Sequence, residues 1–324
     1  VATAMEKPYV TIVVPAFNEE GNLVPLMDRL LPVMRGLGKP FEIIFTDDGS
    51  RDRTLAILKG MIPSIPELRL IEFNGNFGQH MAILAAFERS LGEIVITLDA
   101  DLQNPPEEIP RLVAEIEKGF DVVGTIRRKR QDTLFRRAAS RIVNITTNKM
   151  TGMKMSDYGC MLRAYHRDVV ENINHCQEST TFIPALAQTF AANPTEIEVA
   201  HAERSEGESK YSLYSLIRLN FDLMTGFSVV PLQLFALMGV FTSLASVGFA
   251  LFLMIRRFII GAEVEGVFTL FAILFFFIGI VIFGIGLVGE YVGRIYQEVR
   301  KRPRYVVRRV HGYQEKSSRA EVTP

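Results

Sequence analysis

The sequence predicts an α/β domain with a mostly parallel sheet, followed by an interfacial helix, two membrane-spanning helices and a basic tail. Two observations carry this. Between residues 9 and 125, short β-branched runs alternate with longer amphipathic ones, the pattern of a sheet covered by helices. Later, residues 229–255 and 266–289 contain no Asp, Glu, Lys or Arg, and both blocks exceed the roughly 18 residues that mark a spanning helix. The predicted boundaries are 1–209 for the catalytic part, 210–228 for the juxtamembrane helix, 229–289 for the membrane region and 290–324 for the tail.

In chain order, strands are predicted at 10–14, 41–45, 68–73, 93–98 and 121–125, where β-branched and aromatic residues cluster. The helices between them are predicted at 21–35, 54–61, 80–90 and 106–117. In residues 211–228 apolar side chains cover most of the circumference. Ser215, Arg218, Asp222 and Thr225 leave only a narrow polar stripe, which suits a helix lying in the membrane interface. At about 1.5 Å of rise per residue, the second apolar block spans roughly 36 Å, enough to cross a hydrocarbon layer of about 30 Å. Arg294, Arg300, Lys301, Arg302, Arg304, Arg308 and Arg309 follow it, whereas Arg256 and Arg257 in the connecting loop are balanced by Glu263 and Glu265. The positive-inside tendency therefore sets the N-terminal part and the tail on the cytoplasmic side. No basic segment followed by an apolar core opens the chain, so no signal peptide is expected.

Composition excludes other classes. The 324 residues carry 36 basic and 36 acidic side chains, so bulk-charge binding of nucleic acid is not expected. Cys160 and Cys176 are the two cysteines. Without clustered histidines they make neither a disulfide framework nor a zinc site.

In an open sheet of this kind, ligands bind beyond the carboxyl ends of the strands. The segments that follow the strands are therefore the candidate site: 15–20, 47–50, 74–78 and 99–103. No Gly-x-Gly-x-x-Gly and no phosphate loop of the ATPase kind is present. Asp99 and Asp101 stand two apart at the end of an extended run, so their carboxylates share a side. With the amide oxygen of Gln103 they form a hard oxygen set suited to Mg2+ or Mn2+, which would neutralise a diphosphate leaving group. Glu19 and Asp48 are candidates to accept hydrogen bonds from a nucleoside base, with Pro15 and Ala16 shaping a backbone slot. Glu20 and Asp47 read equally as helix-terminal residues, and Asp52 and Arg53 as surface residues opening a helix.

Basic residues gather downstream: Arg127, Arg128, Lys129 and Arg130, then Arg136, Arg137 and Arg141, with Ser140 four positions from Arg136 and so on its side of a helix. They could hold a phosphate or form a solvated basic face. Arg204 and Lys210 bracket a polar loop able to close over a diphosphate. For Asp157 three roles stay open: assisting the acceptor, binding a donor hydroxyl, or capping a turn.

A nucleotide site, a divalent metal, cations for a second phosphate and a membrane anchor together point to transfer from a sugar nucleotide to a polyprenyl phosphate. At this point the residues resemble a known family. Thr97-Leu98-Asp99-Ala100-Asp101-Leu102-Gln103-Asn104-Pro105-Pro106, Asp157-Tyr158-Gly159-Cys160-Met161-Leu162-Arg163 and Gly289-Glu290-Tyr291-Val292-Gly293-Arg294 are similar to segments of the family 2 polyprenyl-phosphate glycosyltransferases. The resemblance implies a nucleotide-diphospho-sugar (GT-A) fold. It also implies an inverting, Mg2+- or Mn2+-dependent transfer from a UDP-sugar to undecaprenyl phosphate at the bacterial inner membrane. Within that family the likeness implies 4-deoxy-4-formamido-L-arabinose as the sugar, serving lipid A modification and resistance to cationic peptides. It puts Asp99, Asp101 and Gln103 at the metal and Pro15, Ala16, Glu19 and Asp48 at the nucleotide, with Asp99 near both. Arg127, Arg136, Ser140, Arg204 and Lys210 fall where relatives handle phosphates, Arg137 being a rival to Arg136. His80, Tyr158 and His201 are possible donor contacts. Absence of Trp and of a Gln-x-x-Arg-Trp motif separates the chain from processive polysaccharide synthases. A glucosyl or other sugar transferase to the same lipid, and a non-enzymatic nucleotide-sugar-binding module, remain open. Relatives form tetramers, and residues 304–308 read as a strand that could pair with a neighbouring subunit's sheet edge.

Overall fold

The computed structural model describes residues 7–127, 160–176, 182–199, 230–260, 267–300 and 302–312. These divide into two compact units, one holding the sheet and its helices and the other holding the two long apolar helices.

The sheet unit begins with β1 (Val10–Ala16), α1 (Leu23–Gly36), β2 (Phe41–Asp47), α2 (Thr54–Met61) and β3 (Leu68–Phe73). It continues with α3 (Gln79–Phe87), β4 (Ile94–Thr97), α4 (Ile109–Glu117) and β5 (Val122–Arg127). Then come β6 (Arg163–His166), α5 (Arg167–His175), α6 (Ile183–Phe190), β7 (Pro194–Val199) and, from the tail, β8 (Val307–His311). The strand order is β7-β5-β6-β4-β1-β2-β3-β8. β1 runs parallel to both β2 and β4, and β2 to β3. β6 is antiparallel to both β4 and β5, while β5 and β7 are parallel.

This order follows from the side chains. β1, β2 and β3 are buried on both faces apart from the half-buried Pro15, as strands covered by helices on each side must be. Alternate residues Val10, Ile12 and Val14 share one core with Leu23, Leu26, Leu30 and Met34, which recur at helical spacing on α1. On the other side α3 buries Ala82 through Phe87 without a break, and Phe87 meets Tyr165 of β6 edge to face at 5.4 Å. Gly92 lets the chain pass close to β1: a Cβ there would lie 2.6 Å from the Thr11 nitrogen.

From β1 the chain steps outward through β2 to β3, then returns across β1 to add β4 on the other side. The crevice at that reversal, outside the carboxyl ends of β1 and β4, is where an open sheet of this type can hold a ligand.

The tail corrects one expectation. Residues 307–311 pair antiparallel with β3 of their own chain, from Leu70 opposite His311 to Phe73 opposite Val307, rather than being kept for a neighbouring subunit. The junction is specified by side chains. Tyr305 stacks on Phe73 at 5.0 Å, and the buried carboxylate of Glu72 meets Lys59 at 2.8 Å, His311 at 3.0 Å and Arg308 at 3.4 Å. The sequence reading also missed β6, a four-residue antiparallel strand in the middle of the sheet.

In the second unit, α7 (Val230–Ile260) and α8 (Val267–Val299) each contain a stretch long and apolar enough to cross a membrane. Those stretches are Val230–Arg256 and Ile273–Gln297. Their apolar side chains point outward: Phe241, Phe258, Phe275 and Phe283 are exposed. Gly284 makes room for the Phe235 ring, which would lie 1.9 Å from a Cβ at that position. The predicted interfacial helix at 210–228 lies outside the described residues.

Candidate active site

At the strand reversal lies a cleft of about 300 Å³, lined by Pro15, Ala16, Phe17, Glu19, Asp48, Asn76, Gly78, Gln79, Asp99, Ala100 and Asp101. The lining comes from the segments after β1, β2, β3 and β4. Six of the sequence-predicted residues therefore converge: Pro15, Ala16, Glu19, Asp48, Asp99 and Asp101.

The first two segments are laced together. Asn18, at φ 57°, donates its backbone N–H to Ser50 Oγ at 3.0 Å and accepts from the Arg51 N–H at 2.8 Å. The Glu19 N–H donates to Thr54 Oγ1 at 2.8 Å, and Glu19 Oε2 accepts from Asn22 at 2.6 Å. Asp52 accepts from the Glu20 N–H at 3.2 Å and the Thr54 N–H at 2.9 Å. Burial alone would raise the Asp52 pKa, but the hydrogen bonds from Thr54 and Glu20 outweigh it and hold the carboxyl below its ordinary value. Asp52 is thus a tie between two loops rather than the plain surface residue its sequence position suggests. Glu20 likewise accepts from the Arg53 N–H at 2.9 Å.

Asp48 is buried, and each of its carboxylate oxygens accepts a backbone N–H: Phe77 at 2.7 Å and Gly78 at 2.9 Å. Burial raises its pKa, those two bonds pull it back, and the neighbouring Asp47 raises it further. Asp47, buried at the end of β2, is also raised, by burial first and against the hydrogen bonds of Ser50. Between these two loops Gly49 adopts φ +73°, and a Cβ there would stand 2.6 Å from the Gly75 carbonyl carbon. Only glycine allows that approach. Asp48 therefore holds the 74–78 loop, a task that uses one lone pair on each oxygen and leaves further acceptor capacity toward the cleft.

The acid pair stands on the other wall. Asp99 Oδ1 accepts from Gln79 Nε2 at 2.6 Å, and Asp101 Oδ1 accepts from the Gln103 backbone N–H at 3.1 Å. Leu102, at φ 61°, turns the chain between them. Gln103 thus meets the acids through its backbone, and it is not part of the cleft lining. Beneath the loop, buried Asn104 accepts from the Cys160 thiol at 3.5 Å, which lies 2.9 Å from Thr125 Oγ1. Cys160 is a buried, free cysteine, in keeping with the absence of a disulfide framework read from the sequence.

His80 follows Gln79 but does not line the cleft. It packs edge to face on Phe182 at 5.1 Å, and its Nδ1 is buried with no hydrogen-bond partner among the described residues. Burial, helped by the nearby Arg163, lowers its pKa to about 4. Arg127 is the last residue of β5, opposite Val199 of β7. Arg136, Arg137, Ser140, Asp157, Tyr158, His201, Arg204 and Lys210 lie outside the described residues.

Asn76, inside the predicted 74–78 segment, donates its side-chain amide to the Asp48 carbonyl oxygen at 3.2 Å. Sequence reading passed over Gln79, on the acid pair, whose signal was its place directly after that segment, which topology sends to the same rim.

Among the described residues no cluster of three or more His, Cys, Asp or Glu forms a self-sufficient metal cage. Two carboxylates on an open cleft do fit a hard divalent cation whose remaining ligands are substrate phosphate oxygens and water.

The model of "Glycosyl transferase family 2" matches residues 11–173. A curated relative from Pectobacterium carotovorum, named undecaprenyl-phosphate 4-deoxy-4-formamido-L-arabinose transferase, is 52% identical over 93% of each chain. One of the same name from Pseudomonas paraeruginosa is 51% identical over 94% of this chain and 92% of its own. Among solved structures, Mycobacterium tuberculosis glucosyl-3-phosphoglycerate synthase, in complex with Mn2+, UDP and glucosyl-3-phosphoglycerate, is 18% identical with a TM-score of 0.48. It covers 68% of this chain and 78% of its own.

Proposed function

Because the chain belongs to glycosyl transferase family 2, we propose that it transfers 4-deoxy-4-formamido-L-arabinose, with inversion, from UDP to undecaprenyl phosphate. The observation that carries the reading is the convergence of Asp48 and Glu19 with Asp99 and Asp101 on one cleft at the strand reversal. The names of the relatives that share about half of the sequence over most of its length supply the sugar and the lipid.

In this reading Pro15, Ala16, Glu19 and Asp48 take the nucleoside. Asp99 and Asp101 would hold a divalent cation, Mg2+ or Mn2+, which would supply charge neutralisation at the diphosphate leaving group. The acceptor needs little activation. A phosphomonoester has a second pKa of roughly 6, so at neutral pH it is mostly a dianionic nucleophile. The remaining task is alignment of its oxygen behind the anomeric carbon, which is worth about 7 to 11 kcal/mol when well achieved. We assign the phosphates to Arg127, Arg136, Ser140, Arg204 and Lys210, and an orienting role to Asp157. The helices α7 and α8 span the bacterial inner membrane with the sheet unit on the cytoplasmic side, in a homotetramer. The product serves lipid A modification and resistance to cationic peptides.

The test is turnover by the purified full chain in detergent with several UDP-sugars and a short polyprenyl phosphate. The formamido sugar is expected to yield glycolipid, and Asp101→Asn or EDTA to abolish it. Retained turnover in either case contradicts the metal assignment; UDP binding without any turnover would make the chain a nucleotide-sugar-binding module instead.

A further inference from the structure

The cleft contains a neutral residue whose position is set by one acid and which in turn grips another. Asp48, after β2, fixes the backbone N–H groups of Phe77 and Gly78 with its two oxygens. Gly78, at φ +94°, turns the chain straight into α3, and the first residue of that helix is Gln79. Its side-chain amide reaches across the cleft and donates to Asp99 Oδ1 at 2.6 Å. Two carboxylates that follow different strands, Asp48 after β2 and Asp99 after β4, are thus joined through one turn and one side chain.

From this we infer that Gln79 is a positioning residue for Asp99, and that it couples the nucleoside end of the cleft to the acid pair. The inference rests on the metal reading proposed above and deepens it. The chemistry favours an amide in this place. A donor on Oδ1 fixes the rotation of the carboxylate. It does so without bringing a positive charge that would compete with the cation, as Lys or Arg would. Gln79 is exposed and makes no contact that the core of α3 depends on, since the buried residues of that helix start at Ala82. Its presence on the cleft side is thus not explained by packing.

The test is Mn2+ binding to the full chain in detergent, read by electron paramagnetic resonance with and without UDP, for the wild type, Gln79→Met and Gln79→Ala. Met keeps the length of the side chain and removes the donor. Loss of one hydrogen bond to a charged group is expected to weaken Mn2+ binding about tenfold in both variants. The thermal midpoint and the UDP affinity measured in EDTA are expected to stay at wild-type values, and product formation to recover at high Mn2+. Wild-type Mn2+ affinity in Gln79→Met overturns the inference while leaving the metal reading intact. Failure of the wild type itself to bind Mn2+ in the presence of UDP overturns both.

Discussion

Gly49 offers the sharpest perturbation of the cleft, because Gly38 provides an internal control. Both have positive φ, +73° and +66°, and so both pay for an added Cβ with left-handed strain of about 1 to 2 kcal/mol. Around Gly38 nothing lies within 4 Å. At Gly49 the new Cβ would stand 2.6 Å from the Gly75 carbonyl carbon and 2.9 Å from the Asn76 nitrogen, atoms of backbone that cannot rotate away. Relief requires the 74–78 loop to move by the better part of an ångström, against the two hydrogen bonds from Asp48. Overpacking of this kind costs about 1 to 3 kcal/mol beyond the shared strain. An extra cost of about 2 kcal/mol lowers the midpoint of a unit of this size by about 4 to 8 °C. Gly49→Ala is therefore expected to melt that much below Gly38→Ala by far-ultraviolet circular dichroism. It is also expected to bind UDP more weakly, since the displaced loop lines the cleft. Equal midpoints and equal UDP affinities for the two variants would refute the argument that Asp48 holds the loop in place.

Three further outcomes follow from other parts of the sheet unit. Glu42 and Arg69 form a buried pair at 3.1 Å, and Glu42 also accepts from Thr11 Oγ1 and the Leu91 N–H. Arg69→Met should cost about 3 to 5 kcal/mol in urea unfolding, and the double variant with Glu42→Leu should recover part of it. Glu72 binds Lys59, Arg308 and His311 at once, so Glu72→Gln should release β8, seen as faster tryptic cleavage at 302–309 with the rest of the sheet intact. His80 has a folded pKa of about 4 against 6.5 ordinarily, so the unfolded chain binds more protons between those values. Its contribution to stability is full above pH 6.5 and is lost as pH falls toward 4, by at most about 1.4 kcal/mol per pH unit. His80→Gln should flatten the decline in thermal midpoint over that window, measured against wild type.

All five strands read from the sequence are present: 10–14, 41–45 and 68–73 sit within β1, β2 and β3, 93–98 contains β4, and 121–125 overlaps β5, each a run of buried apolar and β-branched residues. The polar segments after them were legible for a related reason, since parallel topology sends them to one rim. What escaped was non-local. β6 is four residues long and opens with a buried arginine, Arg163, so no apolar run marks it. The tail strand reads from the sequence at 304–308 and overlaps β8 only at Val307 and Arg308, and its partner is not legible there, because its specificity lies in Glu72 and Phe73 more than 200 positions away. In the site, carboxylates could be recognised by type and spacing, whereas Gln79 earns its place only through a hydrogen bond across the cleft. Asp52 was misread for the same cause: its two partners, Glu20 and Thr54, come together only in the fold.

The proposed function stands or falls on which sugar is transferred and to which lipid. Mass spectrometry of the lipid fraction, after incubation of the full chain with undecaprenyl phosphate, Mg2+ and equal amounts of UDP-4-deoxy-4-formamido-L-arabinose and UDP-glucose, tests it directly. A single new lipid heavier by the formamido sugar residue is expected. A lipid heavier by a hexose, or an unaltered undecaprenyl phosphate, would contradict it.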